Sequence, residues 1–151
     1  MRWDESMMGG QSGKVAVVTG SNTGIGYYMA RALASKGASV IMACRDPTKG
    51  EVARGRILEE FPGSEVSVSV LDLADLSSIE EFADGFPSEG GLDILINNAG
   101  VMIPPKSRTK DGFELQFGTN HLGHFALTGR LLPVLERLSL LHISEPTRRT
   151  P

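Results

Sequence analysis

Three glycines, Gly20, Gly24 and Gly26, are the residues best placed to do chemistry, because they follow the run Lys14-Val15-Ala16-Val17-Val18-Thr19. Between a buried strand and a helix, the spacing Gly-x-x-x-Gly-x-Gly can cradle a pyrophosphate. Gly20 permits the tight turn, Gly24 lets the phosphates approach the backbone, and Gly26 lets the helix pack on the sheet. The helix N-terminus then offers unpaired N–H groups and a partial positive charge to the anion. A plain glycine-rich turn is the competing reading, and the flanking strand and helix weigh against it. A mononucleotide loop of the Gly-x-x-x-x-Gly-Lys-Ser/Thr kind does not fit, since Gly13-Lys14 is followed by Val15 and Met8 stands where its first glycine belongs. An S-adenosylmethionine site is disfavoured as well, because that ligand has no pyrophosphate for three glycines to hold.

The elements that position this turn alternate along the chain. Residues 14–19 form a β-branched run without polar alternation, as in a strand buried on both faces. Ile25, Met29, Ala32 and Leu33 then recur at helical spacing up to Gly37, a C-cap. Residues 39–44 make a second buried strand, and Asp46-Pro47 supplies an N-cap with proline at the first helical position. That helix turns Ala53, Ile57, Leu58 and Phe61 inward and closes at Pro62-Gly63. A third strand spans 66–71, and Asp75 opens a helix carrying Leu76, Ile79, Phe82 and Phe86. A fourth strand, 92–96, ends at Asn97-Asn98-Ala99-Gly100. Beyond Pro104-Pro105 and the solvated basic cluster 106–110, a long helix runs from Gly112 to Leu138 with a kink expected at Pro133. The β-α-β-α-β-α-β-α order predicts an α/β fold, a Rossmann-type doubly wound parallel sheet of order 3-2-1-4. Its ligand crevice lies at the carboxyl ends of the first and fourth strands.

Composition narrows the function. A net charge of −3 argues against a nucleic-acid scaffold, and no apolar run approaches the membrane-spanning length of roughly 18 residues. The acidic opening Met1-Arg2-Trp3-Asp4-Glu5-Ser6 lacks the apolar core of a secretory signal. The single cysteine, Cys44, excludes an intrachain disulfide framework, suits a cytoplasmic setting, and reads as a small buried hydrophobe. His121 and His124 stand three apart on a helix, but no Cys, Asp or Glu at ligand spacing joins them, so no metal site is expected.

Four ordered motifs point further. The glycine turn after Thr19, Asp72-Leu73, Asn97-Asn98-Ala99-Gly100 and Thr119-Asn120-His121-Leu122-Gly123-His124-Phe125 together resemble the short-chain dehydrogenase/reductase family over residues 12–138, with a flavour closest to its retinol-dehydrogenase-like members. By that resemblance Gly20, Ser21, Asn22, Gly24, Ile25 and Gly26 wrap the diphosphate and adenosine ribose of a nicotinamide cofactor. Asp72 accepts the adenine amino group, Leu73 lies beside the ring, and Asn98, Ala99 and Gly100 form the floor under the riboses. Cys44 occupies the position where NAD-preferring relatives carry Asp, and Arg45 follows, so NADP is favoured over NAD because a guanidinium can hold a 2′-phosphate bidentately. Asn120 matches the helix asparagine that holds a water in the proton relay.

The resemblance implies hydride transfer between an alcohol and a carbonyl, a small-molecule substrate, and a homo-oligomeric full-length form. It also requires a Ser and a Tyr-x-x-x-Lys pair that this chain does not contain: Tyr27 and Tyr28 are its two tyrosines, followed four residues on by Arg31 and Ala32. Residues 1–12 thus read as a flexible lead and 13–138 as a nucleotide-binding domain truncated after the fourth strand and following helix. Residues 139–151 read as a non-native tail, since the run from Leu138 to Arg148 resembles a translated sequencing adapter. Such a truncation would expose the apolar edge of the fourth strand and weaken folding. The alternative function is a non-catalytic dinucleotide-binding or sensor module.

Overall fold

The computed structural model describes residues 4–86 and 91–135, so the expected helix end at Leu138 and the tail lie outside the described residues. Its elements in chain order are β1 (Val15–Thr19), α1 (Gly24–Ser35), β2 (Ser39–Cys44), α2 (Pro47–Glu60), β3 (Val66–Val70), α3 (Leu76–Asp84) and β4 (Ile94–Ile96). A short helix α4 (Leu115–Phe117), a π-helical turn (Gly118–Gly123) and α5 (His124–Leu135) follow. The described strands form one parallel sheet in the order β3-β2-β1-β4, as the alternating elements predicted. Asp93 pins the β4 register: its carboxylate accepts from the Val15 N–H at 2.7 Å, and its own N–H donates to the Val15 carbonyl at 2.9 Å.

The apolar run in β1 supplies both layers. Ala16 and Val18 face α1 and α2, in one cluster with Leu33 and Ile57 of those helices and Met42 of β2. Val17 faces α3 and α5, where it meets Ile79, Leu92, Leu127 and Leu131. Burying each of these larger aliphatic side chains contributes about 1.5–3 kcal/mol, and this covering of both faces holds the strand ends at fixed spacing. Asp46 caps α2 by accepting from the Lys49 N–H at 3.1 Å with Pro47 in the first turn, and Gly37 takes φ +89° just past α1, as expected.

Ile25 and Met29 do not face the sheet but stand exposed; the buried face of α1 is Gly26, Tyr27, Ala30, Leu33 and Ala34. Gly26, Ala30 and Ala34 let the helix approach closely, with Tyr27 and Leu33 filling the space beside them, while Ile25 and Met29 are left outside. Leu76 is likewise exposed on α3. The long helix begins at Leu115 rather than Gly112, because Arg108 and Glu114 pair as a β-bridge and the Glu114 carboxylate caps the N–H groups of Gln116 and Phe117. Its irregular stretch is the π turn, while Pro133 lies within α5.

The described part of the segment before β1, from Asp4 onward, is tied down, where the sequence suggested a flexible lead. Asp4 caps a single 3-10 turn at Glu5–Met7, Gln11 N–H donates to the Lys36 carbonyl at 2.7 Å, and Glu5 pairs with Arg31 at 2.9 Å. Arg31 also binds Glu60 and lies over the Phe61 ring, so one guanidinium joins the lead, α1 and α2. No described helix is long and apolar enough to cross a membrane.

Candidate functional site

At the carboxyl ends of the strands a crevice of about 400 Å³ opens between the β1 turn and the loop after β4. It is lined by Thr19, Gly20, Asn22 and Thr23, by Ala43 and Arg45 at the end of β2, by Leu71, Asp72 and Leu73 after β3, by Asn98, Ala99, Gly100 and Val101 after β4, and by Thr119 of the π turn. Eight of the sequence-predicted residues are thereby brought together. Ser21, Gly24, Ile25, Gly26 and Asn120 stand behind or beside the lining.

The glycines act in two ways. Gly20 has φ +64°, and a Cβ there would come within 2.8 Å of Ala99. A Cβ on Gly26 would meet the Asn98 amide and lie 2.5 Å from the Gly20 carbonyl oxygen. These two positions therefore admit the loop after β4, which is a tighter role for Gly26 than helix-to-sheet packing alone. Gly24, at φ +58°, faces open space instead. Ser21 is fully buried, donates its hydroxyl to the Val18 carbonyl at 2.9 Å and sits 3.6 Å from Cys44 Sγ, so its side chain supports the turn from beneath. Ile25 points to solvent, 70% exposed. Of these two residues only the backbone can address the crevice.

Cys44 is buried in the α1–α2 layer, as a small hydrophobe would be, and exposed Arg45 is the residue at the end of β2 that reaches the crevice. Asp72 lines the crevice with one carboxylate oxygen already accepting the Ala74 N–H at 2.9 Å. Across the crevice, Asn120 clamps the loop after β4. Its Oδ1 accepts from the Val101 N–H and its Nδ2 donates to the Val101 carbonyl, both at 2.8 Å. The basic cluster is partly engaged as well, since Lys110 pairs with Asp75 at 2.7 Å, which lowers the Asp75 pKa and raises that of Lys110.

Thr19, Thr119 and His124, none of them a site residue expected from the sequence, also belong to this wall. Thr19, fully buried, accepts the N–H groups of both Asn98 and Ala99 on its hydroxyl at 2.9 Å, and its carbonyl accepts from the Asn98 amide at 3.0 Å. His124 Nε2 lies 2.9 Å from the same hydroxyl, and its Nδ1 lies 3.0 Å from the Asn120 carbonyl. Burial holds the His124 pKa below the usual 6.5. His121 stacks on Phe117 instead, and no trio of His, Cys, Asp or Glu among the described residues could hold a metal. The usable signals were a hydroxyl ending an otherwise apolar strand and a histidine one turn after Asn120. Thr119 Oγ1 is buried without a hydrogen-bond partner among the described residues, at the wall of the crevice.

A parallel sheet of order 3-2-1-4 with a glycine turn at the crevice between its first and fourth strands defines the doubly wound nucleotide-site class. The family model for short chain dehydrogenase matches residues 14–139. The chain belongs to the short-chain dehydrogenase/reductase family of oxidoreductases. It is 56% identical to human retinol dehydrogenase 12 over 137 residues, which is 90% of this chain and 42% of that protein, so it spans less than half the length of this relative. Among solved structures, a protein from Mycobacterium paratuberculosis is 50% identical with a TM-score of 0.78, covering 87% of this chain and 46% of that one. A metagenomic short-chain oxidoreductase crystallised in complex with NADP is 32% identical with a TM-score of 0.71, covering 82% of this chain and 57% of that one.

Proposed function

We propose that the crevice holds the dinucleotide of an alcohol/carbonyl oxidoreductase, with NADP preferred over NAD. The observation that carries this is the joining of the glycine turn to Arg45, the one cationic side chain in the crevice lining, at a strand end where Cys44 is buried and the carboxylate in the lining, Asp72, belongs to the loop after β3 and already accepts from the Ala74 N–H. The residues fit such a ligand. Gly24 faces open ground where phosphates could meet the N–H groups of the first turn of α1, and the buried Thr119 hydroxyl lacks the partner that a ligand or water would supply. Arg45 would take the 2′-phosphate, Asp72 and Leu73 the adenine, and Asn98, Ala99 and Gly100 the riboses. When bound, the nicotinamide supplies or accepts a hydride; this chain's part is to orient it and to exclude water from its floor. Asn120, beside the floor, would join the proton relay. Binding of NADP by the metagenomic relative supports the cofactor choice.

The acid–base pair of the reaction is not among these 151 residues, since Tyr27 and Tyr28 lie on α1 and neither is followed by lysine at the fourth position. That keeps a binding module without catalysis as the second reading, and 13–138 as the nucleotide-holding part of the reading. Arg45→Asp tests the assignment by titration calorimetry with both cofactors. Loss of a charge-assisted bidentate contact, about 1.5–3 kcal/mol, should weaken NADP by roughly 10- to 100-fold while sparing NAD. Unchanged NADP affinity would exclude the phosphate role of Arg45.

A further inference from the structure

We infer that His124 is a positioning residue: as the neutral Nδ1–H tautomer it accepts a hydrogen bond from the Thr19 hydroxyl on Nε2 and thereby fixes the Asn98-Ala99 floor of the crevice. A threonine hydroxyl has one proton and two lone pairs. On Thr19 both lone pairs are used by the Asn98 and Ala99 N–H groups at 2.9 Å, so its proton must point elsewhere. Two acceptors are in range, His124 Nε2 at 2.9 Å and the Ile96 carbonyl at 3.4 Å, and the shorter contact is the histidine. His124 Nε2 is then bare. Its Nδ1 faces the Asn120 carbonyl, which can only accept, so Nδ1 carries the proton. The π turn makes this possible by placing the Asn120 carbonyl against a side chain, while the Asn120 amide holds Val101. One imidazole thus links the end of β1, the loop after β4 and the π turn.

Protonating His124 would put a second N–H against a hydroxyl whose lone pairs are both taken, and one of the three bonds to Thr19 would break. Among the described residues no neighbouring charge offsets this. β1 and β4 carry no ionisable side chain, and Asp93, just before β4, serves the Val15 backbone at the opposite end of the strand. On its own helical segment, His121 stacks on Phe117 and Arg130 pairs with Glu80 of α3. Asp72, on the loop against which Gly123 packs, accepts from Ala74. Burial of the ring favours the neutral form, in keeping with this geometry.

The consequence for ligand binding rests on the dinucleotide reading above; the tautomer does not. Long-range ¹⁵N–¹H spectra of the imidazoles should show His124 as Nδ1–H at neutral pH, and an Nε2–H or doubly protonated ring would overturn the inference. ADP-ribose, which lacks the titrating 2′-phosphate, is the binding probe. Wild-type affinity should fall about tenfold, the scale of one lost hydrogen bond, as pH drops through the imidazole range. His124→Gln keeps an acceptor in place of Nε2 and should bind equally at neutral pH with a flat profile, whereas His124→Phe should bind weakly throughout. Identical profiles for wild type and His124→Gln overturn the positioning role. Absence of ADP-ribose binding at every pH overturns the dinucleotide reading instead.

Discussion

On one side of the crevice the turn from Thr19 to Gly26 is shaped by side chains that are missing, and on the other the loop 97–101 is held by side chains that are present. A Cβ at Gly20 or Gly26 would collide with Ala99, Asn98 or the Gly20 carbonyl, so the first wall is steric. The second hangs on hydrogen bonds from Thr19, Asn120 and His124. A steric wall fails abruptly, because a packed backbone cannot give by an ångström. A polar wall fails by increments, because water or a neighbouring group takes up part of each lost bond.

The largest effect should therefore come from Gly26→Ala. Its methyl would sit 2.5 Å from the Gly20 oxygen and displace the Asn98 amide, adding overpacking of about 1–3 kcal/mol to the loss of hydrogen bonds worth about 1 kcal/mol each. Gly24→Ala places its methyl in open space and bears only the left-handed backbone cost of about 1–2 kcal/mol. Urea denaturation of both variants checks the order. If Gly24→Ala proved the more damaging, the steric account of this wall would be wrong.

Asn120→Ala comes next, on the polar wall. It removes two bonds to Val101, each worth about 0.5–1.5 kcal/mol, and since Asn120 is exposed the lower end applies. Hydrogen exchange at the Val101 amide should accelerate while amides of β1 stay protected. If both change together, the loop does not open separately from the sheet.

Acid should act on the polar wall alone. The folded pKa of His124 lies below its unfolded value of about 6.5, so the unfolded chain binds the extra proton first. Stability is then full above pH 6.5 and falls as pH drops below it toward the folded pKa. His124→Gln should remove that part of the slope in a series of urea midpoints, and a slope that survives the substitution would have to arise from other groups.

How far each wall was legible in the sequence follows the same division. Gly20, Gly24 and Gly26, the Asp46-Pro47 cap and the apolar run of β1 obey rules that act over a few residues, and the strand order 3-2-1-4 follows from their alternation. The Thr19 hydroxyl meets Asn98 across 79 residues and His124 across 105, and no local rule joins positions so distant. The wrong face of α1 has another cause. Ile25 and Met29 satisfied helical spacing as well as the true face does, and only close approach to the sheet selects Gly26 and Ala30 over them. The π turn was hidden because weak helix formers such as Gly118, Thr119, Asn120 and Gly123 loosen a helix without specifying a wider one, and the bonds of Asn120 and His124 that accompany the widening join distant segments.

The smallest expected change separates stability from binding. Thr119 Oγ1 is buried at the crevice wall with no partner among the described residues, so it carries a desolvation cost without a compensating bond. Thr119→Val keeps the shape and removes that cost, and the folded chain should be stabilised by up to about 1 kcal/mol in urea denaturation. If the hydroxyl is held in reserve for a ligand, affinity for ADP-ribose should fall several-fold in the same variant, so the two readouts move in opposite directions. A loss of stability would instead mean that the hydroxyl already has a water partner in the folded chain. Unchanged ADP-ribose affinity would assign Thr119 to the packing of the π turn and leave recognition to Asp72, Leu73 and the floor across from it.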